Sequence, residues 1–434
     1  MKDILILGAG KSSSVLIDVL VEDASHNDWH IHVADAQPGV AESKTGSRDR
    51  TSAYFIDLEN GDQLNQLVDL ADIVISMLPP SMHNMVALSC LQNKKHFLNA
   101  SYLTPELQKM DEEARSLELS FICEMGLDPG IDHMSAMEII DDIKTKGGVV
   151  TSFRSHCGGL ISPESDDSPW HYKISWNPRN IVMAGRDGAT FLEQNQVAHL
   201  DYEDLFDPER IVEIPGMGPY AWYPNRDSTP YQQKYALEEV STFIRTTLRH
   251  PDFCRGWNKI VEYKLTDETT IYDTTGMSIR KFVSEHFSTI GLPVPDRSTM
   301  DETVYKQLKW LGFDSEEIIN RGQSSAADIL QWMVETRLGL KPGDRDMIIM
   351  LHEIGYTLEG ESKKINSCLV IKGKDSIHTA MAETVGLPLA SAATHILNGN
   401  IRRRGVFIPI YADVYKQVLP DLEKQGISFT TSEE

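Results

Sequence analysis

The chain is short of positive charge: 41 Lys plus Arg face 64 Asp plus Glu, a net charge of -23 over 434 residues. That balance opposes phosphate backbones and anionic membranes, so neither nucleic acid nor membrane is expected as a partner. Small molecules are favoured, and an anionic one would need local Arg. Cysteine is also scarce. The five, at 90, 123, 157, 254 and 368, show no CxxC pairing and no zinc-ligand spacing, so no metal is expected. Their odd count argues against a disulfide framework and points to a reducing compartment, which we read as cytoplasmic. No apolar run approaches the roughly 18 residues of a membrane span, and Gly8 interrupts the first hydrophobic segment too early for a signal peptide.

What is present is a globular pattern with 41% hydrophobic residues, ample for buried cores, at a length that suggests two or three domains. The first 125 residues alternate helical patterns with apolar runs at Ile4–Leu7, His30–Asp35, Ala53–Asp57, Ile73–Leu78, His96–Ala100 and Ser120–Cys123. That rhythm predicts a Rossmann-like, doubly wound parallel sheet in an α/β chain. From Gly147 strand-like segments and polar, Pro-containing loops predict a mixed α/β domain. Residues 236–345 carry mainly helical patterning, with Trp257, Trp310 and Trp332 as candidate core anchors. Met347–His352 and Ser367–Lys372 read as paired strands, and Met381–Leu397 as a helix. The expected division is therefore a dinucleotide-binding domain (1–125 and 393–434), a mixed α/β substrate and dimerisation domain (126–235 and 346–392) and an all-helical insertion (236–345).

Gly8-Ala9-Gly10-Lys11-Ser12-Ser13 follows the first strand and opens a helix. Glycines there let the backbone approach a pyrophosphate, and the helix end offers free N–H groups. Ser13 replaces the third glycine of the usual fingerprint. A Walker-type loop ending in Gly10-Lys11-Ser12 would need glycine where Leu5 stands, so dinucleotide binding is preferred to ATP hydrolysis. Asp35 ends the second strand, where an acid accepts hydrogen bonds from ribose and repels a 2′-phosphate. Residues 36–39 contain no Arg, which leans the cofactor toward NAD over NADP.

Two turns within Glu124–Ser165 concentrate chemistry and read as an active site at a domain junction. Asp128 follows the run Phe121-Ile122-Cys123, at a strand end where open parallel sheets bind ligands. Asp-Pro-Gly also starts a type II turn and caps a helix, which is the alternative at Asp128.

The motifs LDPGIDH (127–133), HCGGLISPES (156–165), YKISW (172–176) and YPNRDSTPY (223–231) occur together with Thr246-Thr247-Leu248-Arg249. In this combination the chain resembles the L-glutamate-forming saccharopine dehydrogenases, also called saccharopine reductases, over most of its length. The resemblance implies a homodimer that oxidises saccharopine reversibly with NAD(P)+ and water, in lysine metabolism, to L-glutamate and 2-aminoadipate 6-semialdehyde. It implies Arg226 and Arg249 as guanidiniums for substrate carboxylates, joined by Thr247 and Leu248. Ser101 and Tyr102 would meet cofactor and substrate. Asp128, Cys157 and Tyr102 are the acid/base or polarising candidates, with no assignment of which takes the proton. Cofactor contacts are implied at Gly8, Gly10, Lys11, Ser12, Ser13, Asp35, Asp57, Leu58, Met77, Leu78, Ala100, Ser101, Tyr102, Leu127, Asp128, Pro129 and Ser175. His133 would orient Asp128 or cap its helix, while His156 replaces the aromatic expected beside Cys157. A carboxyspermidine-type dehydrogenase is the second enzyme reading, and its polyamine substrate would need acidic residues rather than paired arginines. A non-catalytic nucleotide sensor would have lost cleft polar residues that this chain retains.

Overall fold

Each apolar run expected as a strand in the first 125 residues is one, and the six lie parallel: β1 (Lys2–Leu7), β2 (Trp29–Asp35), β3 (Thr51–Phe55), β4 (Ile73–Ser76), β5 (His96–Asn99) and β6 (Ser120–Ile122). With Gly405–Phe407 added beside β6, the sheet runs Gly405–Phe407, β6, β5, β4, β1, β2, β3. Ile4 to Leu7 are wholly buried, as expected of a central parallel strand covered on both faces. The order reverses between β1 and β4, the place where such sheets take ligands at their carboxyl ends.

The computed structural model describes every residue except Glu59 and Thr299. Its contacts separate Met1–Val149 with Ile377–Phe429 from Val150–Ser376 with Thr430–Glu434. These limits depart from the expected 125/126 and 392/393, for reasons of packing. Tyr415 of helix Ala412–Lys424 donates to Asp141 of helix Ile131–Thr145 at 2.7 Å. Gly386 of helix Ala380–Leu397 lies so close to helix Ser14–Asn27 that a Cβ there would meet Leu16 N at 2.8 Å. Both the helix after Asp128 and the long C-terminal helix thus belong with the parallel sheet. Thr430–Glu433, in contrast, pairs with Glu361–Lys372 of the second unit.

The second unit is built on a nine-stranded mixed sheet. Val149–Ile161 runs parallel to Thr242–Arg249 and in register, Thr247 opposite Cys157. Gly218–Pro224 pairs antiparallel on the other side of Thr242–Arg249. The expected pair after residue 345 forms the long hairpin Asp346–Leu358 and Glu361–Lys372. The stretch 236–345 is not all-helical: it contributes Thr242–Arg249 to this sheet and forms a small hairpin, Ile271–Asp273 with Gln323–Ser325. Its helices, Pro251–Glu262, Ile279–Ile290, Glu302–Trp310 and Ala326–Arg337, share one core with Trp170, Tyr172, Ile181 and Tyr223. Trp257 anchors that core, Trp332 packs at its margin, and Trp310 is 38% exposed with its indole donating to Arg337 O at 3.2 Å. Trp170, wholly buried, takes the anchoring role instead. Among the described residues no helix is long and apolar enough to cross a membrane.

Candidate active site

Within the first unit, the expected cofactor residues gather at the carboxyl ends of the strands. Gly8 has φ +99°, and a Cβ on it would sit 3.0 Å from the Met77 carbonyl carbon and oxygen. Only glycine allows β1 and β4 to close that tightly at the switch point. The next N–H, of Ala9, donates to Asp35 Oδ2 at 2.7 Å, and Gln37 N donates to Oδ1 at 2.8 Å. The Asp35 carboxylate thereby locks the glycine loop to the end of β2. Ser13 is buried and donates to Gly10 O at 2.9 Å, tightening the helix start into a 3-10 turn over Lys11–Ser13. Gly10 and Lys11 are exposed and Ser12 is half-buried. Asp57 is exposed beyond β3, but the Leu58 side chain belongs to the core with Leu5 and Leu7, leaving only its backbone for a ligand.

Beyond β5 and β6 two turns are stitched side by side. Glu124 N donates to Ser101 O at 2.9 Å and Met125 N to Asn99 O at 3.0 Å. A Cβ on Gly126 would lie 2.8 Å from Ala100 Cβ, and one on Gly130, at φ +148°, would fall 2.0 Å from Gly126 O. These two glycines bring Leu127-Asp128-Pro129 against Ala100-Ser101-Tyr102. Asp128 is half-buried and precedes a cis Pro129. It does not occupy the cap position of the following helix, which falls to Gly130, whose N–H is taken at 2.6 Å by Asp132 Oδ1. His133 is buried and bonds Glu124 Oε2 at 2.7 Å, while Glu124 Oε1 accepts from Leu103 N at 3.0 Å, bracing the turn from below.

One residue of this region escaped sequence reasoning. His83 connects Ser76 Oγ (2.9 Å from Nδ1) to Ser101 Oγ (2.8 Å from Nε2). Burial pushes its pKa down to about 4, so it is neutral at physiological pH and one ring nitrogen donates while the other accepts. A helix-face histidine in His83–Gln92 carries no local motif, so only the fold reveals it.

In the second unit, side-chain alternation sorts the candidates by face. Cys157, Thr247 and Arg249 share one face, together with Arg245, because Thr247 opposes Cys157 in register. Leu248 faces the other way, buried with Leu160, Met347 and Ile349, so its side chain belongs to the core and only its backbone is left for a ligand. His156 also faces away from Cys157: its Nδ1 lies 2.7 Å from Thr246 Oγ1 and its Nε2 3.2 Å from Glu353 Oε2. That bond holds the Glu353 carboxyl down to about 2, with Lys364 adding to the effect. His156 therefore has a structural partnership, not a place beside the thiol.

Arg249 is 5% exposed, and among the described residues no carboxylate partners its guanidinium. Its Nη1 donates to Leu248 O at 2.8 Å and Gly159 O at 3.4 Å, its Nε has no hydrogen-bond acceptor, and it lies over the rings of Tyr172 (5.2 Å) and Phe253 (5.5 Å). Burial also raises the Tyr172 and Tyr223 phenols, which keeps both neutral. A buried cation held only by carbonyls and rings is costly unless an anion completes it. Arg226, at φ +55°, is exposed past the end of Gly218–Pro224. Asn225 N bonds Arg245 O, which sets Arg226 back by about 16 Å along the strand from Arg249, at ~3.3 Å per residue. The two arginines thus stand at different points along the strand pair. Ser175 is buried beside Ile174, whose N–H donates to Leu338 O at 2.7 Å.

Two family models cover nearly the whole chain: a saccharopine dehydrogenase NADP binding domain over residues 4–120 and a saccharopine dehydrogenase C-terminal domain over 126–427. The chain belongs to the saccharopine dehydrogenase family. It is 30% identical over 446 residues to a saccharopine dehydrogenase [NADP(+), L-glutamate-forming] of Pyricularia oryzae, covering 98% of each. It is 32% identical to the mitochondrial alpha-aminoadipic semialdehyde synthase of Bos taurus, where it covers 99% of this chain but 48% of that protein, so the chain spans about half the length of this larger relative. Among solved structures, apo saccharopine dehydrogenase (L-Glu forming) from Saccharomyces cerevisiae matches with a TM-score of 0.89 and 27% identity over all of both chains. A homospermidine synthase from Legionella pneumophila, at 11% identity and a TM-score of 0.58, shares the fold.

The dinucleotide of this family fits what the first unit offers. The Gly8 cradle leaves no room for a side chain, the loop's exposed backbone at Gly10 opens a helix of the first unit, and the Asp35 carboxylate stands at the end of β2.

Proposed function

We propose that the chain catalyses the L-glutamate-forming oxidation of saccharopine: saccharopine, NAD(P)+ and water give L-glutamate, 2-aminoadipate 6-semialdehyde, NAD(P)H and a proton. The observation that carries this reading is Arg249, a buried guanidinium with no acidic partner, in a chain 30% identical end to end to an L-glutamate-forming saccharopine dehydrogenase.

When bound, the nicotinamide cofactor supplies the hydride acceptor. The chain's residues do the rest. Gly8, Gly10, Lys11, Ser12 and Ser13 hold the pyrophosphate, and Asp35 takes the ribose. Met77, Leu78 and the backbone at Asp57 and Leu58 line the cofactor's path, and Ser175 is a further cofactor contact. Arg249 binds one substrate carboxylate and Arg226 another, with Thr247 beside Cys157. Ser101, oriented by His83, and Tyr102 bind substrate and cofactor next to Leu127, Asp128 and Pro129. Asp128, Tyr102 and Cys157 are the groups for proton movement at the substrate amine and at the water that adds to its oxidised carbon.

The carboxyspermidine-type alternative is not favoured, because its single carboxylate would use only one of the two arginines and its further amines would call for acidic pocket residues. Likeness to the homospermidine synthase extends only to fold. The relative from Pyricularia oryzae is named for NADP(+), whereas Asp35 and the lack of Arg at 36–39 support NAD in this chain. Five buried cysteines with no disulfide between them support a cytoplasmic location, and family resemblance supports a homodimer. Saccharopine oxidation by the purified protein, run in parallel with NAD+ and NADP+, tests the reading. Saccharopine-dependent formation of reduced cofactor and L-glutamate is expected; cofactor binding without turnover would replace the enzyme with a sensor.

A further inference from the structure

Asp166, His171, His250 and Asp252 converge in the second unit, where Asp166, His171 and His250 line a cavity of about 310 Å³ with Leu160, Tyr220 and other residues. His171 and His250 stack with centroids 3.9 Å apart, tilted by 30°. Asp166 Oδ2 sits 2.5 Å from His171 Nδ1, so that nitrogen carries the proton, and in the neutral ring Nε2 carries the lone pair. His171 Nε2 faces Asp252 Oδ2 at 3.6 Å, and His250 Nδ1 lies 3.8 Å from the same oxygen. Neither distance is a hydrogen bond. Both are near the edge of a tetrahedron drawn around a zinc-sized ion, about 3.3 Å for bonds of ~2.0–2.1 Å. One ligand atom from each of His171, His250 and Asp252 lies within 4.8 Å of the others.

We propose that His171, His250 and Asp252 bind a divalent transition-metal ion of the zinc, cobalt or nickel class, with Asp166 holding His171 in the required tautomer. A carboxylate on the far nitrogen of a ligating histidine is the usual support of such a site. Two imidazoles and a carboxylate suit these ions better than magnesium or calcium, which prefer all-oxygen cages. His171 adopts φ +47°, a conformation in which a non-glycine side chain is held only by its surroundings, and that conformation brings the ring onto His250. The site has three costs. Arg255 Nε lies 3.6 Å from Asp252 Oδ1 and competes with the ion for that carboxylate. His250 Nδ1 also accepts from Asp252 N at 3.2 Å, capping helix Pro251–Glu262, and the ion displaces that bond. The helix end repels a cation, which the two carboxylates offset. The scarcity of paired cysteines excludes a thiolate site and leaves this His–Asp site open. Because His250 follows Arg249 and His171 precedes Tyr172, an ion here fastens both strands of chain that enclose the Arg249 guanidinium.

The test is titration of the full-length protein with Co2+, followed by visible absorption, and with Zn2+, Mg2+ and EDTA, followed by thermal melting. One Co2+ per chain with the intense bands of tetrahedral coordination, displaced by Zn2+, is expected. A Zn2+-specific rise in Tm of roughly 5 °C, reversed by EDTA, should accompany it. His171→Asn, which tolerates the left-handed backbone, and Asp252→Asn, which retains the cap geometry, should each weaken Co2+ binding by ~10–100-fold. Wild-type protein that binds no stoichiometric Co2+, or gains as much from Mg2+ as from Zn2+, overturns the proposal. So does unchanged affinity in both folded variants.

Discussion

Replacing Arg249 by Met should separate stability from function with opposite signs. The substitution keeps length and apolar bulk beneath Tyr172 and Phe253 but removes the charge. The guanidinium makes two carbonyl bonds, leaves Nε unsatisfied and meets no carboxylate among the described residues. Carbonyl bonds and ring contacts contribute about 1 kcal/mol each, whereas burying an unpaired ion costs several. The unliganded Tm is therefore expected to stay level or rise. A carboxylate held by two charge-assisted bonds is worth at least about 3 kcal/mol, which is a loss of ~150-fold in kcat/KM for saccharopine. The loss should fall mainly on KM, with cofactor affinity retained. Steady-state formation of reduced cofactor, cofactor binding by fluorescence and a thermal melt together decide the matter. A folded Met variant with wild-type saccharopine KM would refute the assignment of Arg249 and, with it, the argument from an unpaired buried charge.

Asp35→Ser removes the repulsion of a 2′-phosphate and should shift the NADP+/NAD+ ratio of kcat/KM by roughly 10–100-fold toward NADP+; a wild-type enzyme that already prefers NADP+ contradicts the role given to this carboxylate. His83 is held neutral with a pKa of about 4 against ~6.5 when unfolded, so the unfolded chain binds the extra proton first. Its contribution is complete above about pH 6.5 and is lost as pH falls toward 4, by roughly 3 kcal/mol. Urea midpoints of His83→Gln across that range should show a correspondingly flatter pH dependence, and an unaltered slope would remove His83 from the Ser76–Ser101 connection. Gly130→Ala would place a Cβ 2.0 Å from Gly126 O at φ +148°, so a loss of about 3 kcal/mol or more in unfolding free energy, or of all activity, is expected; a stable, active variant would show that the Asp128 turn can open without consequence.

Local pattern was enough to read six strands of the parallel sheet, since most of them are short apolar runs, with Ile4–Leu7 of β1 and all of β4 buried, whereas Gly405–Phe407 was not legible. The runs Met347–His352 and Ser367–Lys372 gave the core of the hairpin Asp346–Leu358 with Glu361–Lys372 but not its length. Unit limits were not legible at that level. Helices Ile131–Thr145 and Ala380–Leu397 are buried over most of their surface, so their patterns do not say which sheet they cover, and only the Asp141–Tyr415 and Gly386–Leu16 contacts do. Trp310 illustrates the same limit, because a large apolar residue in a helix can face either way.

By itself the sequence determined the glycine loop, the acidic end of β2, the motif-bearing turn at Asp128, the motif around Cys157 and the two arginines, because each is a matter of residue type at short spacing; the turn expected at His156–Leu160 is instead part of the strand Val149–Ile161. Tertiary structure decided which face each side chain takes and what surrounds it. Strand register put Cys157 with Thr247 and Arg249 and sent Leu248 and His156 to the opposite face. Residues as distant as 76, 83 and 101, or 171 and 250, met only through folding. Charge, tautomer and burial are properties of neighbours, and neighbours far apart in the chain are supplied by packing alone.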